Sequence, residues 1–238
     1  MIKTLVIHPD HLKERGEHID CMLRGMGLDY EFVNEGHDDK QIDSYIHQYL
    51  RNGREQLQRR IPRALCTISH FLAYEKIVAE NWEGALVLED DIVLNKGFRP
   101  YFERSIEEYR RNYTDKNILI SYEDSSLRFV PRSRREKGRM LYPADKGRMS
   151  GAYFINANGA RSILRELQKE PCDLAIDWYH SELIKKGLID CLWCHPTIAT
   201  QGSFSGRFAS ALSTKNDWMV SIRWWFKKNY KKMLYWFR

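Results

Sequence analysis

The run Ala85-Leu-Val-Leu-Glu-Asp-Asp-Ile-Val-Leu94 narrows the possible folds more than any other stretch of this chain. Its apolar first half reads as a strand, and that strand runs directly into Glu89, Asp90 and Asp91. In an open α/β sheet, ligands bind outside the carboxyl ends of the strands. Acids placed there repel one another unless a cation compensates. Hard divalent ions take oxygen ligands and often bridge a carboxylate to substrate phosphates. Alternation along an extended chain points Glu89 and Asp91 the same way, with Asp90 opposite. On the residues alone, a solvated acidic turn stays open beside a ligand site.

The flanking segments predict the sheet such a strand needs. Residues 2–7 (IKTLVI) read as a short buried strand, 11–27 as an amphipathic helix closed by Gly25 and Gly27, and 30–33 as a second strand. Strand, helix, strand at this spacing points to an α/β fold. Residues 38–61 are polar and read as a surface excursion. Pro62 at a first helical position opens a helix to about 81, with Leu65, Ile68, Leu72, Ile77 and Val78 facing inward. A helix near 100–111 and a strand at 117–122 follow, then an Arg- and Ser-rich stretch, 123–139, that reads as a mobile loop. A strand at 151–155, helices at 158–169 and 175–186, and closing strands at 189–194 and 197–200 complete the expected order. No internal repeat and no linker divides residues 1–210, which read as one domain.

The 238 residues are enough for one domain with a substantial core. The N-terminus lacks the long apolar region of a signal peptide, and no apolar run approaches the ~20 residues of a membrane-spanning helix. The five cysteines are then expected as reduced thiols in a cytoplasmic protein. The net charge of +6 is unevenly placed. After Asp217 there are six basic residues and no acid, leaving 32 of each sign in 1–217. A neutral body argues against a broad nucleic-acid groove.

Further blocks stand in order along the chain: Arg15 after the first strand, Ser69-His70 in IPRALCTISHFLAYEKI, then Glu89-Asp90-Asp91. Gly151, Tyr153, Gly159 and Ala160 follow in GAYFINANGARSIL, then Asp177, then Pro196, Gln201 and Ser203 or Ser205. In order and spacing the chain, over about 1–208, resembles glycosyltransferase family 25, the bacterial lipooligosaccharide galactosyltransferases and their relatives. One departure lies after the first strand, where family members usually carry Asn-Leu and this chain has His8-Pro9.

The resemblance implies a GT-A type nucleotide-sugar-binding fold, a single mixed-sheet domain. It implies inverting transfer of a hexose, galactose from UDP-galactose, to a lipid-linked saccharide such as lipooligosaccharide or lipopolysaccharide, with a divalent metal (Mn²⁺ or Mg²⁺). Asp91 and Glu89 are the expected metal ligands, with His195 as a third. Arg15, Ser69, His70, Glu89, Asp90, Gln201 and Ser203 are expected to contact the donor. Inversion needs a carboxylate opposite the leaving group to take the acceptor's proton; Asp177 is the expected base, and equally fits a helix N-cap. Two other classes stay open: a metal-dependent phosphohydrolase, and a non-catalytic membrane-peripheral protein on a degenerate transferase fold.

Two signals compete. Cys191-Leu-Trp-Cys194-His195 has the spacing of c-type haem attachment, but apolar residues on both sides read as a buried strand. The basic loop 128–139 is suited to gripping a diphosphate or an anionic acceptor. On a helical wheel, residues 218–238 place Trp218, Ile222, Trp225, Phe226, Met233, Trp236 and Phe237 on one face, and Arg223, Lys227, Lys228 and Lys231 on the other. That segregation predicts an amphipathic helix on an anionic membrane surface, peripheral to the cytoplasmic face of the inner membrane, rather than a nucleic-acid partner. A helix docked on the body is the alternative.

Overall fold

Near-continuous apolar runs, whose successive side chains point to opposite faces, build a sheet with two buried faces. The computed structural model describes residues 1–34, 39–51, 62–205 and 218–237. Its strands are β1 (Ile2–Ile7), β2 (Glu31–Val33), β3 (Gly84–Glu89), β4 (Ile92–Leu94), β5 (Ile118–Ser121), β6 (Leu141–Ala144), β7 (Ala152–Asn156), β8 (Asp190–Cys194) and β9 (Ala199–Gln201). The helices are α1 (Lys13–Gly25), α2 (Asp39–Tyr49), α3 (Pro62–Ala79), α4 (Phe98–Asn112), α5 (Ala157–Lys169), α6 (Ile176–Lys185), α7 (Gly202–Ser205) and α8 (Trp218–Trp236).

Seven strands form one mixed sheet in the order β2-β1-β3-β7-β5-β8-β6, and β4 pairs with β9 apart from it. β1 runs parallel to β2 and β3, and β5 runs parallel to β8. β7 is antiparallel to both β3 and β5, and β6 is antiparallel to β8. The carboxyl ends of β1, β3 and β5 therefore share one edge, and β7 begins there. Leu5, Ile7, Ala85, Val87, Tyr153 and Ile155 face a core closed by α2, α3, α5 and α6. Val6, Leu86, Leu88, Ile120 and Phe154 face the other, closed by α1 and α4.

Several expectations change at this level. The run 85–94 is two strands, since the chain leaves the main sheet at Asp90-Asp91 and re-pairs with β9 as β4. The polar excursion carries α2, whose Ile46 and Tyr49 are buried with Leu50 against α3; the rest of 38–61 lies largely outside the described residues. The expected loop 123–139 begins inside the protein, with Glu123, Asp124, Phe129 and Val130 buried, and it leads into β6, which sequence periodicity did not announce. None of the five cysteines is in a disulfide. Cys191 and Cys194, three apart on β8, face opposite cores and cannot serve one ligand together.

The tail helix α8 divides its faces differently from the helical wheel. Lys228 Nζ pairs with the buried Asp124 at 2.7 Å, Tyr235 meets Phe129 edge-on, and Arg132 lies over Trp236. Lys228 thus faces the body. Ile222, Trp225, Phe226, Tyr230, Met233, Trp236 and Phe237 are exposed. The Trp218 side chain lies outside the described residues. The helix is thus docked through its inner face and exposes apolar side chains on its outer one.

Candidate active site

The shared strand edge opens into a cleft of about 480 Å³. Residues from β1, α1, α3, β3, α6 and β9 line it, and they include Arg15, Ser69, Glu89, Asp90, Asp91, Asp177, Gln201 and Ser203. Eight of the residues singled out from sequence are therefore brought together, from positions as far apart as 15 and 203.

The three acids have different partners, as alternation predicts. Asp90 turns to the first strand and helix: its Oδ2 lies 3.0 Å from His8 Nδ1, and its Oδ1 accepts from Arg15 at 3.1 Å. His8 fits there because residue 16 is glycine; a Cβ at Gly16 would come within 2.7 Å of His8 Nε2. Glu89 points the other way. Its Oε2 accepts from Gln201 Nε2 at 3.0 Å, and its Oε1 lies 3.6 Å from His70 Nε2, beyond hydrogen-bond reach. A Cβ at Gly151 would come within 2.8 Å of the Gln201 side chain, so the small residue opening β7 keeps that contact. Asp91 is buried; Ser203 hydrogen-bonds it, and its Oδ1 has no hydrogen-bond partner.

Burial and mutual repulsion raise the carboxyls at this edge, and Arg15 only partly offsets them. Burial, followed by the charge of Asp90, pushes the Glu89 carboxyl up to about 7. Burial, followed by the charge of Glu89, pushes Asp91 up to about 6. A fourth acid, Glu123, lies fully buried after β5, pushed up to about 8, first by burial and also by the charge of Glu89. Its Oε1 accepts from Gly151 N at 2.7 Å and its Oε2 has no hydrogen-bond partner. Glu89 and Asp91, perturbed this way and lining the cleft, mark a candidate functional site, with Glu123 buried behind it.

His70 lies just behind the cleft wall. Burial holds its imidazole neutral, down at about 3, so its approach to Glu89 is no ion pair. Its Nδ1 shares a proton with Tyr153 Oη at 2.7 Å, Tyr153 with Tyr74 at 2.7 Å, and Tyr74 with His180 Nε2 at 2.7 Å. His195 is not brought to the cleft. It directly follows β8, its ring meets Tyr142, and burial followed by Arg135 and Arg148 lowers it to about 4. The geometry therefore separates it from Asp91 and Glu89. Asp177 stands in the first turn of α6 with no side-chain cap, so it is not that helix's N-cap; Ala175 is.

Sequence reasoning misses His8, Glu123 and Trp178. Glu123 carries the same signal as Glu89, an apolar strand running into acids, in ILISYED (118–124). Trp178 is the neighbour of Asp177 at the cleft, and 66% of it is exposed.

The sequence pattern of glycosyltransferase family 25 (LPS biosynthesis protein) matches residues 1–179. This chain belongs to glycosyltransferase family 25. An Aedes aegypti protein named as a glycosyltransferase 25 family member is 33% identical over 114 residues, 43% of this chain and 18% of that protein. The Haemophilus influenzae lipooligosaccharide biosynthesis protein lex-1 is 26% identical over 136 residues, 52% of this chain and 42% of that one. The matched stretches thus span less than half the length of either relative. The family 25 match takes in Arg15, Ser69, His70, the three acids and Asp177, and it stops before Gln201 and Ser203. Those two are tied to the site by geometry, through Glu89 and Asp91.

Proposed function

We propose that the chain is an inverting glycosyltransferase of GT-A type, with residues 1–210 as the catalytic unit. It moves a hexose, galactose from UDP-galactose, onto a lipid-linked saccharide such as lipooligosaccharide. The observation that carries this reading is the cleft itself. In a family 25 chain, half-buried Glu89 and buried Asp91 face the same space as Asp177. The name of the lex-1 relative supports a lipooligosaccharide acceptor.

The residues present fit a hard divalent cation. Asp91 Oδ1 is buried without a partner, and both carboxyls resist ionisation in its absence. Mn²⁺ or Mg²⁺ held by Asp91 and Glu89 would offset the negative charge that develops on the departing diphosphate.

The chain's own groups do the rest. Arg15, fixed by Asp90, and Ser69 and Ser203 bind the nucleotide side of the donor. Gln201 holds Glu89 in place, and His70 backs it. Asp177 takes the acceptor hydroxyl's proton as that oxygen attacks the anomeric carbon. The bond to the diphosphate breaks on the opposite face, which inverts the anomeric centre. The exposed indole of Trp178 gives the acceptor sugar a flat apolar face beside the base. Residues 218–238 hold the enzyme to an anionic membrane surface, at the cytoplasmic face of the inner membrane. No helix among the described residues is long and apolar enough to cross a membrane. The exposed face of α8 supports insertion at the headgroup level instead.

The test is product analysis with UDP-galactose, Mn²⁺ and a lipooligosaccharide acceptor. Transfer is expected, and Asp91→Ala is expected to abolish it. Nucleotide hydrolysis at one rate with or without acceptor would sink the transferase reading in favour of a phosphohydrolase.

A further inference from the structure

A second set of donors sits on the α3 side of Glu89, away from Asp91. Cys66 and His70 are four apart on α3 and so share one face of the helix. Their ligand atoms and a carboxylate oxygen of Glu89 all lie within 4.8 Å of one another. His70 is fully buried, and its Nε2 has no hydrogen-bond partner although it is aimed at Glu89 Oε1, 3.6 Å away. An orphaned ring nitrogen at that depth calls for an explanation.

The hydrogen-bond chain behind His70 supplies one. Each hydroxyl in it has one proton to give. When His70 Nδ1–H donates to Tyr153, Tyr153 donates to Tyr74, and Tyr74 donates to His180 Nε2, which accepts. Every link is satisfied, and His70 Nε2 is left as a bare lone pair. This is how a metal-ligating histidine is usually held, with its second nitrogen donating to an outer partner. Cys66 and Glu89 also line the cleft, so an ion has an entry path and a fourth position open to water or substrate. The other oxygen of Glu89 keeps its bond to Gln201.

We propose that Cys66, His70 and Glu89 form a site for a borderline-soft divalent cation, zinc by chemistry. Thiolate, imidazole and carboxylate with one open position match zinc's preferences, whereas Mg²⁺ and Mn²⁺ favour all-oxygen sets. Ligand bonds of about 2.0–2.3 Å require the three donors to close on the ion by roughly an ångström. The site shares Glu89 with the proposed transfer chemistry, but it can fill whether or not sugar is transferred, so the binding test stands independently of that reading.

The experiment uses the full chain, stripped with chelator, kept reduced and titrated with Co²⁺ as a spectroscopic stand-in for zinc. The expected result is one equivalent bound, with a thiolate-to-cobalt charge-transfer band and the visible bands of a four-coordinate ion, all bleached by Zn²⁺ but not by Mn²⁺. Cys66→Ser should remove the charge-transfer band, and Cys21→Ser, which changes an exposed thiol, should keep it. Tyr153→Phe, which removes the acceptor of the His70 proton, should weaken zinc binding by about 10–100-fold. The proposal is overturned if the full chain shows no thiolate band, if the band survives Cys66→Ser, or if Mn²⁺ bleaches it.

Discussion

Asp91→Asn is expected to make the metal-free protein more stable while removing its chemistry. The Asp91 carboxyl is moved from an ordinary 3.8 to about 6, by burial and then by Glu89. A carboxyl raised on folding favours the native state only while it is protonated. That contribution is full below about pH 4 and is lost as pH climbs through about 6. At pH 8 the native protein therefore carries an ionised Asp91 at a cost of about 3 kcal/mol, taking roughly 1.4 kcal/mol per pH unit. Asparagine cannot ionise and escapes that cost. Its amide N–H groups need partners in a buried place, which returns about 1 kcal/mol. A net gain of about 2 kcal/mol is an upward shift in melting temperature of about 4–8 °C for a chain of this size. Thermal unfolding in chelator from pH 4 to pH 8 measures it. The variant should lie slightly below wild type near pH 4, where only the amide cost acts, and rise above it as pH passes about 6, and added Mn²⁺ should raise the wild type alone. A difference that does not change with pH, or a variant less stable at pH 8, would refute the argument that uncompensated burial shapes this edge.

Other substitutions test the neighbouring parts. Gly151→Ala should push Gln201 off Glu89, costing about 1–3 kcal/mol in stability by overpacking and lowering kcat more than it raises the donor KM. Asp177→Asn should reduce acceptor-dependent UDP release by about 10²–10⁴-fold while UDP binding, followed by calorimetry, stays unchanged. Replacing Trp225 and Phe226 together by serine should lower partitioning onto anionic vesicles by at least about tenfold, since each buried side chain of that kind is worth ~1.5–3 kcal/mol, with activity on a soluble acceptor retained. Lys228→Met should lower the melting temperature by several degrees at pH 7, because it leaves Asp124 buried opposite an apolar side chain; an unchanged value would show that the contact contributes nothing.

Much of the main sheet was legible, because its strands announce themselves by apolar runs and its helices by a 3.6-residue period. The acidic strand end was legible for the same reason: four apolar residues stop at Glu89, and the topology of a parallel pair fixes which edge they stop at. What periodicity cannot show is where a chain goes after such an end. β4 leaves the sheet for β9 because pairing with a segment more than a hundred residues away decides it, and β6 forms because β8 offers it an edge. Glu123 was hidden in the same way. Its acids follow a strand as those of β3 do, but the Arg-rich residues after it made the stretch read as a solvated loop. His195 shows the opposite failure, in which a residue type suited to a metal is carried by its strand to a different place. His8 is a case between. From sequence it is a departure from the family's Asn-Leu, and in space it holds Asp90, with Gly16 making the room.

The tail is where the sequence and the structure join most closely. By charge alone the last residues look detachable, since they hold the whole basic excess while the body is balanced. The structure puts one of those charges to use inside the protein. Lys228 neutralises Asp124, whose other bonds come from Thr197 and Thr200. Thr200 precedes Gln201, and Gln201 holds Glu89. A charge on α8 thus ends a short chain of polar contacts whose other end is a proposed metal ligand. Two demands then act on one helix. The proposed membrane role asks its outer face to stay apolar, and the contact with Asp124 asks its inner face to keep a lysine against a buried acid. A random basic tail meets neither demand, and a helix that merely filled a groove would have no reason to expose Trp225, Phe226 and Phe237. Under the proposed membrane role, meeting both would tie the orientation of the cleft to the plane of the membrane, the geometry an enzyme needs when its acceptor is anchored there.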